Sequence, residues 1–459
     1  MANGTTYRRG SVFGALALIG IGGLFLYANV NPGFSPWPFA ARYWPVLIIL
    51  WGLGKLFDYL ALRGRPEAAA ASRITGGDIV GLVFLILLGW CFTQVVQHGW
   101  WRGGVIRIGD EEVGCLLGNE YDFSDEFRQA IPEASTVRLS NLRGNLSVTA
   151  VEGEEIQVAT RKVICSGSES EAQEMAERFE PALTSTAEGY EFHWDTSSGA
   201  RGLVTTEVEV QVPASVNLEV STRRGDVRVS GARGKVTVRV ERGEAAVENI
   251  DGDVQIEIRR GNVRIANVTG SVEVEGRGDE AQIRNTAGGA SLEGRFYGPI
   301  RFANIAGEAR FVSRRTTFKA ARIEGEMSID SGVLVLRGVP GAVTLLTRDK
   351  EIEVEEVSGQ LRIENRNGRV VIHAARPPAE PIEVENRSGS IELYLPAESG
   401  FEISATARDG EIESDFRSES LELERESGGD QVLRGTHGRG RTPIRLTTRY
   451  GTIYLRRSG

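Results

Sequence analysis

Apolar and polar residues alternate along most of the second half of the chain. The alternation is clearest in three groups of apolar positions spaced by two residues: Val236, Val238 and Val240; Val254, Ile256 and Ile258; Val272 and Val274. A period of two places one set of side chains on one face, so each group predicts a short β-strand with one buried face. Such a strand cannot bury this face alone, and we therefore expect the strands to stack against one another.

Glycines recur at a constant spacing between these strands. One series comprises Gly234, Gly252, Gly270 and Gly288 at 18-residue intervals, followed by Gly307, Gly325, Gly341 and Gly359 at intervals of 19, 18, 16 and 18 residues. A second series, Gly225, Gly243 and Gly261, lies nine residues out of phase with the first. Since glycine adopts turn conformations that β-branched residues cannot, two strands and two turns would form each 18-residue coil of a parallel β-solenoid.

This pattern predicts a mainly β domain over residues 123–459, with two strands per coil and regular repeats at about 216–376. The alternative is a series of antiparallel hairpins or a sandwich, because Arg-Gly-Asp and Asp-Gly sequences also form hairpin turns. The constant spacing of both glycine series favours the solenoid. One short helix is predicted after Ser168, where Ser168-Glu169-Ser170-Glu171 has the form of a capping box. The segment from Ser418 to Arg441 is predicted to be a charged, mobile loop.

Three apolar segments precede this domain. They cover residues 11–30, 44–62 and 79–96, and each is long enough to cross roughly 30 Å of hydrocarbon as a helix. We therefore expect a membrane anchor with three transmembrane helices over residues 1–101, followed by a juxtamembrane linker at 102–122.

The basic residues around these segments predict their orientation. Arg8 and Arg9 precede the first segment and three arginines separate the second from the third, whereas Arg42 is the single basic residue between the first two. By the positive-inside rule the N-terminus is cytoplasmic, and three crossings make the β domain extracytoplasmic.

Charge and cysteine content narrow the possible partners and bonds. The net charge of −9 is spread along the chain, which disfavours nucleic acid as a partner. The three cysteines, Cys91, Cys115 and Cys165, are too few for a disulfide framework. A single bridge between Cys115 and Cys165 remains open if both residues lie outside the cytoplasm.

Residue patterns typical of catalysis or metal binding are absent from the sequence. The four histidines are scattered, and none lies at a spacing that would bind zinc. Calcium-binding repeats also use 18 residues per coil, but they need an aspartate in each nonapeptide, where this chain has Asp226, Glu244 and Asn262. We therefore expect no catalytic residues, no cofactor, no metal and no enzymatic activity.

A row of arginines is the most suggestive feature of the repeats. Arg224, Arg242 and Arg260 are 18 residues apart and should stack along one edge of the solenoid, roughly continued by Arg277, Arg295, Arg314 and Arg315. Guanidinium groups bind phosphate and carboxylate groups through paired hydrogen bonds. We predict that Arg224, Arg242 and Arg260 form a ridge for an anionic ligand; the alternative is a solvated edge whose charges are balanced by neighbouring acids.

Two family resemblances are carried by defined segments. The segments PASVNLEVSTRRGDVRV, GSIELYLPAESGFEISATARDGEIESDF and PIRLTTRYGTIYL resemble the bacterial putative-adhesin β-solenoid domain, a family whose biochemical role is not established. This resemblance covers about Phe123 to Arg457. The segments RRGSVFGALALIGIGGLFLYANV and ARYWPVLIILWGLGKLFDYL resemble the paired membrane helices of the Lia-type cell-envelope stress proteins.

Together the two resemblances imply a membrane-tethered envelope protein that senses, binds or scaffolds. With the residue patterns above, we predict a non-enzymatic protein of the bacterial cytoplasmic membrane that presents the adhesin-like β-solenoid outside the cytoplasm for binding or scaffolding. Its expected partners are the lipid bilayer and an anionic envelope polymer or a membrane protein. The alternative is an envelope-stress sensor or regulator that acts on a membrane partner such as a sensor kinase.

Overall fold

The structure is a computed structural model that describes residues 107–108, 111–112, 119–132, 135–141, 143–178, 181–187, 189–194, 204–425 and 428–458. The three predicted membrane spans lie outside these residues. Within the described ranges, no helix combines the length and the apolar character needed to cross a membrane. The described residues fall into two compact units. The first lies within Met1–Phe123, Lys162–Phe179 and Thr196–Thr205, and the second within Ser124–Arg161, Glu180–Asp195 and Thr206–Gly459.

The first unit contains two short strands and a disulfide-bonded cysteine. Strand β1 (Arg107–Ile108) pairs antiparallel with strand β2 (Glu111–Glu112). Cys165 is buried and takes part in a disulfide bond. The other cysteines, Cys91 and Cys115, lie outside the described residues, so the bridge from Cys165 to Cys115 stays a prediction.

Helix α1 (Glu169–Arg178) also belongs to the first unit, and it begins where the capping box predicts. The backbone N–H of Glu171 donates to the hydroxyl oxygen of Ser168 at 3.3 Å, which satisfies one of the free donors of the first turn. The ammonium group of Lys162, which is 1% exposed, donates to the carbonyl oxygen of Ala176 at 3.0 Å. The prediction of a helix within a mainly β domain is confirmed.

The second unit is built on two long sheets. The first sheet contains β4 (Thr136–Asn141), β7 (Pro181–Thr186), β8 (Gly189–Trp194), β10 (Asn217–Thr222), β12 (Val236–Val240), β14 (Val254–Ile258), β16 (Val272–Gly278), β18 (Ala290–Phe296), β20 (Ala309–Val312), β21 (Thr317–Ala320), β24 (Val343–Leu346), β26 (Leu361–Asn367), β28 (Ile382–Ser388), β30 (Phe401–Ala407), β32 (Leu421–Arg425), β33 (Gln431–His437) and β34 (Thr442–Tyr450).

The second sheet contains β3 (Asn119–Ala130), β5 (Leu146–Val151), β6 (Glu155–Ser166), β9 (Val204–Pro213), β11 (Val227–Ser230), β13 (Ala245–Ile250), β15 (Val263–Val268), β17 (Ala281–Thr286), β19 (Ile300–Ile305), β22 (Ile323–Ile329), β23 (Val333–Val339), β25 (Glu351–Val357), β27 (Val370–His373), β29 (Ile391–Pro396), β31 (Ile412–Ser414) and β35 (Ile453–Ser458). Strand β3 begins inside the segment 102–122 that is predicted to be a linker.

Neighbouring coils pair in parallel with an offset of 18 residues. Between β12 and β14, Val236 lies opposite Val254 and Val238 lies opposite Ile256. The inward side chains of these strands are buried between the two sheets, and burying each valine or isoleucine contributes about 1.5–3 kcal/mol. The parallel register confirms the predicted solenoid and excludes a series of hairpins over these coils.

Glycine is required at both corners of each coil because the backbones of neighbouring coils touch there. Gly225, Gly243 and Gly261 have φ angles of 130°, 141° and 129°, a region that residues with a Cβ rarely adopt. A Cβ added to Gly261 would lie 1.9 Å from the carbonyl oxygen of Gly243. At the other corner, a Cβ on Gly252 would lie 2.5 Å from the carbonyl oxygen of Gly234.

Four asparagines form a ladder along the solenoid. Asn249, Asn267, Asn285 and Asn304 all have positive φ angles of 53° to 58°. The side-chain amide of Asn267 donates to Asn249, that of Asn285 donates to Asn267, and that of Asn304 donates to Asn285, each at 2.9 Å. Asparagine tolerates the left-handed conformation better than other residues with a Cβ, so one residue type serves both the turn and the ladder.

One coil runs against all of its neighbours. Strand β21 pairs antiparallel with β20 and β24, and β22 pairs antiparallel with β19 and β23. The chain reverses at two hairpins, in which Ser313 N–H donates to Thr316 at 2.8 Å and Asp330 N–H donates to Val333 at 2.9 Å. We call residues 317–329 the reversed coil. The two reversals cancel, so parallel pairing resumes with β23 and β24.

The C-terminal coil does not follow chain order. Strand β34 pairs in parallel with both β28 and β30, and β35 pairs in parallel with both β29 and β31. The prediction of a mobile loop from Ser418 to Arg441 is wrong, because β32 and β33 form an antiparallel hairpin there. Strand β33 also pairs with β30, so Leu433 lies opposite Ala405 and its backbone hydrogen bonds are satisfied.

Candidate anion-binding surface

The predicted ridge of Arg224, Arg242 and Arg260 does stack along one corner. The backbone N–H of Gly225 donates to the carbonyl oxygen of Arg242 at 2.9 Å, and that of Gly243 donates to Arg260 at 3.0 Å. The three arginines therefore lie one coil apart, as the spacing predicts. Each of them already interacts with other groups of the chain. The row ends after three coils, because the register places Gly278 beside Arg260.

The polar residues next to this ridge connect neighbouring coils. The carboxylate of Asp226 accepts a hydrogen bond from the backbone N–H of Glu244 at 2.8 Å, and the side-chain oxygen of Asn262 accepts one from Glu280 at 3.2 Å. Among the described residues, no cluster of three or more His, Cys, Asp or Glu side chains could hold a metal ion. The side chains of Asp226 and Asn262 each accept a hydrogen bond from the backbone of a neighbouring coil.

A second column of charge lies one residue earlier on the same strands. The registers of the first sheet place Arg223, Glu241, Arg259, Arg277 and Arg295 on successive coils, and Arg277 pairs directly with Arg295. Glu241 lies 3.8 Å from both Arg223 and Arg259. The first three members of the column therefore balance one another, whereas Arg277 and Arg295 have no acidic member between them.

The same column continues beyond the reversed coil. The registers of β24 with β26, β26 with β28 and β28 with β34 place Arg348, Arg366, Arg387 and Arg449 on successive neighbouring coils. Neighbouring strands lie about 4.8 Å apart. We call Arg277, Arg295, Arg348, Arg366, Arg387 and Arg449 the arginine column.

A buried polar residue precedes each arginine of the C-terminal part and holds its corner in place. Asn386 is 1% exposed, and its side-chain amide donates to the carbonyl oxygens of Gly368 at 2.8 Å and Gly389 at 3.2 Å. Since Asn386 points inward, the next residue, Arg387, must point outward to solvent. Thr347, Asn365 and Thr448 occupy the corresponding buried positions before Arg348, Arg366 and Arg449.

The arginine column carries a local excess of positive charge. Arg277, Arg295, Arg348, Arg366 and Arg387 are exposed, and none of them forms an ion pair with any residue that the structure describes. Two like charges at this separation repel by up to about 1 kcal/mol in water, and less in salt. An anion that bridges neighbouring guanidinium groups would remove this repulsion.

The reversed coil opens a cleft in the middle of the column. It contributes no corner on this side, and the two hairpins that flank it leave a cavity of about 530 Å³. We call this cavity the seam cleft, and its polar and aromatic lining includes Arg295, Tyr297, Arg314, Arg315, Asp330 and Lys350. A second cavity of about 410 Å³ adjoins the same hairpin, and its charged lining comprises Arg314, Arg315, Arg348, Arg366 and Arg387 together with Glu364 and Glu385.

The wall of the seam cleft is held by Lys350 and by a buried hydroxyl contact. Lys350 is half-buried, and its ammonium group donates to the backbone carbonyl oxygens of Asp330 and Ser331, the latter at 2.6 Å. Burial lowers the pKa of Lys350, the charge of Asp330 opposes this effect, and the neighbouring Arg315 lowers the pKa further. The first hairpin is fixed by the 3.1 Å contact between the hydroxyl groups of Thr316 and Thr347.

The structure brings together some of the arginines that the sequence predicts to form a row, and it adds other arginines that the sequence analysis missed. Arg295, Arg314 and Arg315, which roughly continue the predicted row, do lie together in the seam cleft. The missed members of the column are Arg348, Arg366, Arg387 and Arg449. Their irregular spacings of 18, 21 and 62 residues hide the row in the sequence. However, each of these arginines follows an inward Thr or Asn, so a Thr-Arg or Asn-Arg pair at the end of a predicted strand could have identified the members of the column.

The fold and the surface together define a parallel β-solenoid with a basic edge. Residues 190–456 match the Toastrack DUF4097 family, and the chain belongs to this family, whose function is unknown. The predicted membership in a β-solenoid family of unknown function is confirmed. No curated protein matches the chain.

Two solved structures are similar to this chain. One is a putative cell adhesion protein from Clostridium sporogenes ATCC 15579, with 8% identity and a TM-score of 0.16, covering 73% of this chain and 100% of that chain. The other is a putative adhesin from Bacteroides fragilis NCTC 9343, with 10% identity and a TM-score of 0.21, covering 72% of this chain and 97% of that chain. Both TM-scores are low, so these likenesses carry no structural or functional conclusion.

Proposed function

We propose that this chain is a membrane-anchored, non-enzymatic cell-envelope protein whose β-solenoid binds an anionic polymer outside the cytoplasm. The observation that carries this proposal is the arginine column, an exposed row of guanidinium groups without acidic partners among the described residues. The anchor follows from the apolar segments at 11–30, 44–62 and 79–96.

A polymer fits the column better than a small anion does. On each side of the reversed coil the guanidinium groups recur on neighbouring coils about 4.8 Å apart, so a linear chain of phosphates or carboxylates could contact several of them at once. Once one unit of a polymer is bound, the neighbouring units bind intramolecularly. Several weak contacts can therefore give a much higher overall affinity than any single contact.

The test compares two sets of three arginines in the full-length chain, purified in a non-ionic detergent. Binding to lipopolysaccharide and to teichoic acid is measured at several salt concentrations. In the column variant, Arg277, Arg366 and Arg387 are changed to Gln; in the matched control, Arg224, Arg242 and Arg260 are changed to Gln. Both variants lose three positive charges from the same sheet edge.

We expect binding that weakens with salt, and at least about a tenfold loss in the column variant, equivalent to about 1.4 kcal/mol. The control should lose much less. Equal losses in both variants would show that only net charge matters, and the column would then not be the binding surface. If the unmodified chain bound neither lipopolysaccharide nor teichoic acid, the proposal itself would be refuted.

A further inference from the structure

The seam cleft differs from the rest of the arginine column in being a concave site. Elsewhere on this edge each corner rests directly on the corner of the next coil, as the 1.9 Å clash of a Cβ on Gly261 shows. At the reversed coil both chain ends turn back through hairpins, and the corner is missing. The resulting volume of about 530 Å³ lies in the range of small-molecule sites.

The charged lining of this cleft is mainly basic, with three arginines and Lys350 against the two carboxylates Asp330 and Asp349. Arg314 and Arg315 are the two central residues of the first hairpin, both are exposed, and Arg295 lies on the coil below. None of these three arginines forms an ion pair with a described residue. Their guanidinium groups are therefore available to a phosphate, which arginine binds through two parallel hydrogen bonds.

An exposed aromatic residue, Tyr297, also lines the cleft. Tyr297 is 68% exposed, which is unusual for so large a side chain next to a cleft. The backbone that carries Tyr297 is tied to the preceding coil, because its N–H donates to the carbonyl oxygen of Gly278 at 3.1 Å and the next residue, Gly298, donates to Asp279 at 2.6 Å. An exposed tyrosine ring offers a flat apolar face with a polar tip, which suits a ligand that is partly apolar and partly polar.

We propose that the seam cleft binds a phosphate-bearing sugar unit, with the phosphate on Arg314 and Arg315 and the apolar face of the sugar ring on Tyr297. This inference rests on the proposed function, since such a unit would be one repeat or one end of the anionic polymer that lies along the column. The cleft recognises the unit, and the column holds the rest of the chain through charge alone.

The experiment is isothermal titration calorimetry of the full-length chain with glucose 1-phosphate, inorganic phosphate and glucose as separate probes. Glucose 1-phosphate should bind at least about tenfold more tightly than inorganic phosphate, and glucose should show no measurable binding. Arg314→Gln combined with Arg315→Gln should remove binding of both phosphates. Tyr297→Ala should leave inorganic phosphate unchanged and remove the preference for the sugar phosphate, whereas Tyr297→Phe should keep it.

Arg449→Gln, compared with Arg314→Gln alone, is the matched control, since each removes one charge and Arg449 belongs to the column away from the cleft. Thermal unfolding of each variant shows that it remains folded, as expected for changes at exposed positions. The proposal is overturned if glucose 1-phosphate binds no more tightly than inorganic phosphate, if Tyr297→Ala keeps the preference, or if the control weakens binding as much as Arg314→Gln does. Polymer binding that depends on the column while glucose 1-phosphate fails to bind would leave the proposed function in place and refute this inference alone.

Discussion

The asparagine ladder allows a prediction that separates backbone strain from side-chain hydrogen bonding. Asn285 is an inner member, with a φ angle of 54°. Its amide group donates to Asn267 and its side-chain oxygen accepts from Asn304, both at 2.9 Å. Asn285→Ala removes both hydrogen bonds and places in the left-handed region a residue that tolerates it less well than asparagine does, whereas Asn285→Gly removes the hydrogen bonds and keeps the backbone unstrained.

The expected magnitudes follow from these two contributions. The left-handed conformation costs alanine about 1–2 kcal/mol. Each hydrogen bond contributes about 0.5–1 kcal/mol, at the low end of the usual range because the ladder is exposed. Asn285→Ala should therefore destabilise this coil by about 2–4 kcal/mol, and Asn285→Gly should destabilise it by about 1–2 kcal/mol.

Hydrogen exchange measured by mass spectrometry on peptides that cover residues 281–305 is the appropriate assay, because coils of a repeat fold can open locally. Faster exchange in both variants, with alanine the larger effect, would support the reasoning. If glycine were as destabilising as alanine, the strain contribution would be refuted. If glycine exchanged like the unmodified chain, the side-chain ladder would contribute nothing.

Two further predictions concern the corners of the coils. Gly261→Ala should destabilise the solenoid by more than about 3 kcal/mol, since it combines a positive φ with a backbone contact at 1.9 Å, and unchanged urea unfolding would contradict this. The backbone N–H of Ser271 holds the pKa of Asp253 below its usual 3.8, helped by the Ser271 hydroxyl and opposed by slight burial. A lowered pKa stabilises the fold above about pH 4, and this contribution is lost as the pH falls through the folded pKa. Asp253→Asn should therefore lose less stability than the unmodified chain between about pH 5 and pH 3, measured by thermal unfolding; an unaltered pH profile would count against this assignment.

The regular coils are predictable from the sequence because their signal is repeated. Alternation indicates the buried face of each strand, and glycines at constant spacing indicate the corners. Every regular coil carries both signals, so each coil predicts the same register independently of the others. The reversed coil is hidden for the same reason. Its strands also alternate, and Gly325 keeps the 18-residue spacing, because antiparallel pairing buries the same face of a strand as parallel pairing does. The hairpin in the C-terminal part is missed because Leu421 and Leu423 lie among charged residues that suggest a loop.

The candidate surface is only partly predictable for a different reason. A sequence row at constant spacing finds Arg224, Arg242 and Arg260, but the strand registers place a longer column one residue earlier. Arg449 joins this column because the last coil inserts between coils formed earlier in the chain. Such an insertion brings together residues that are 62 positions apart in the sequence. Their proximity cannot be predicted from the spacing of residues within a single repeat.

The paired reversals around the reversed coil have a consequence for how this protein family can change over evolution. A single reversal would leave every later strand pointing the opposite way, and the rest of the solenoid would have to be rebuilt. Two reversals restore the direction, so a segment such as 313–332 can be gained or lost while the coils on either side keep their pairing. The coil pairing on either side does not depend on the hairpins, so this repetitive architecture has one place where the chain could change length while the rest of the solenoid keeps its register.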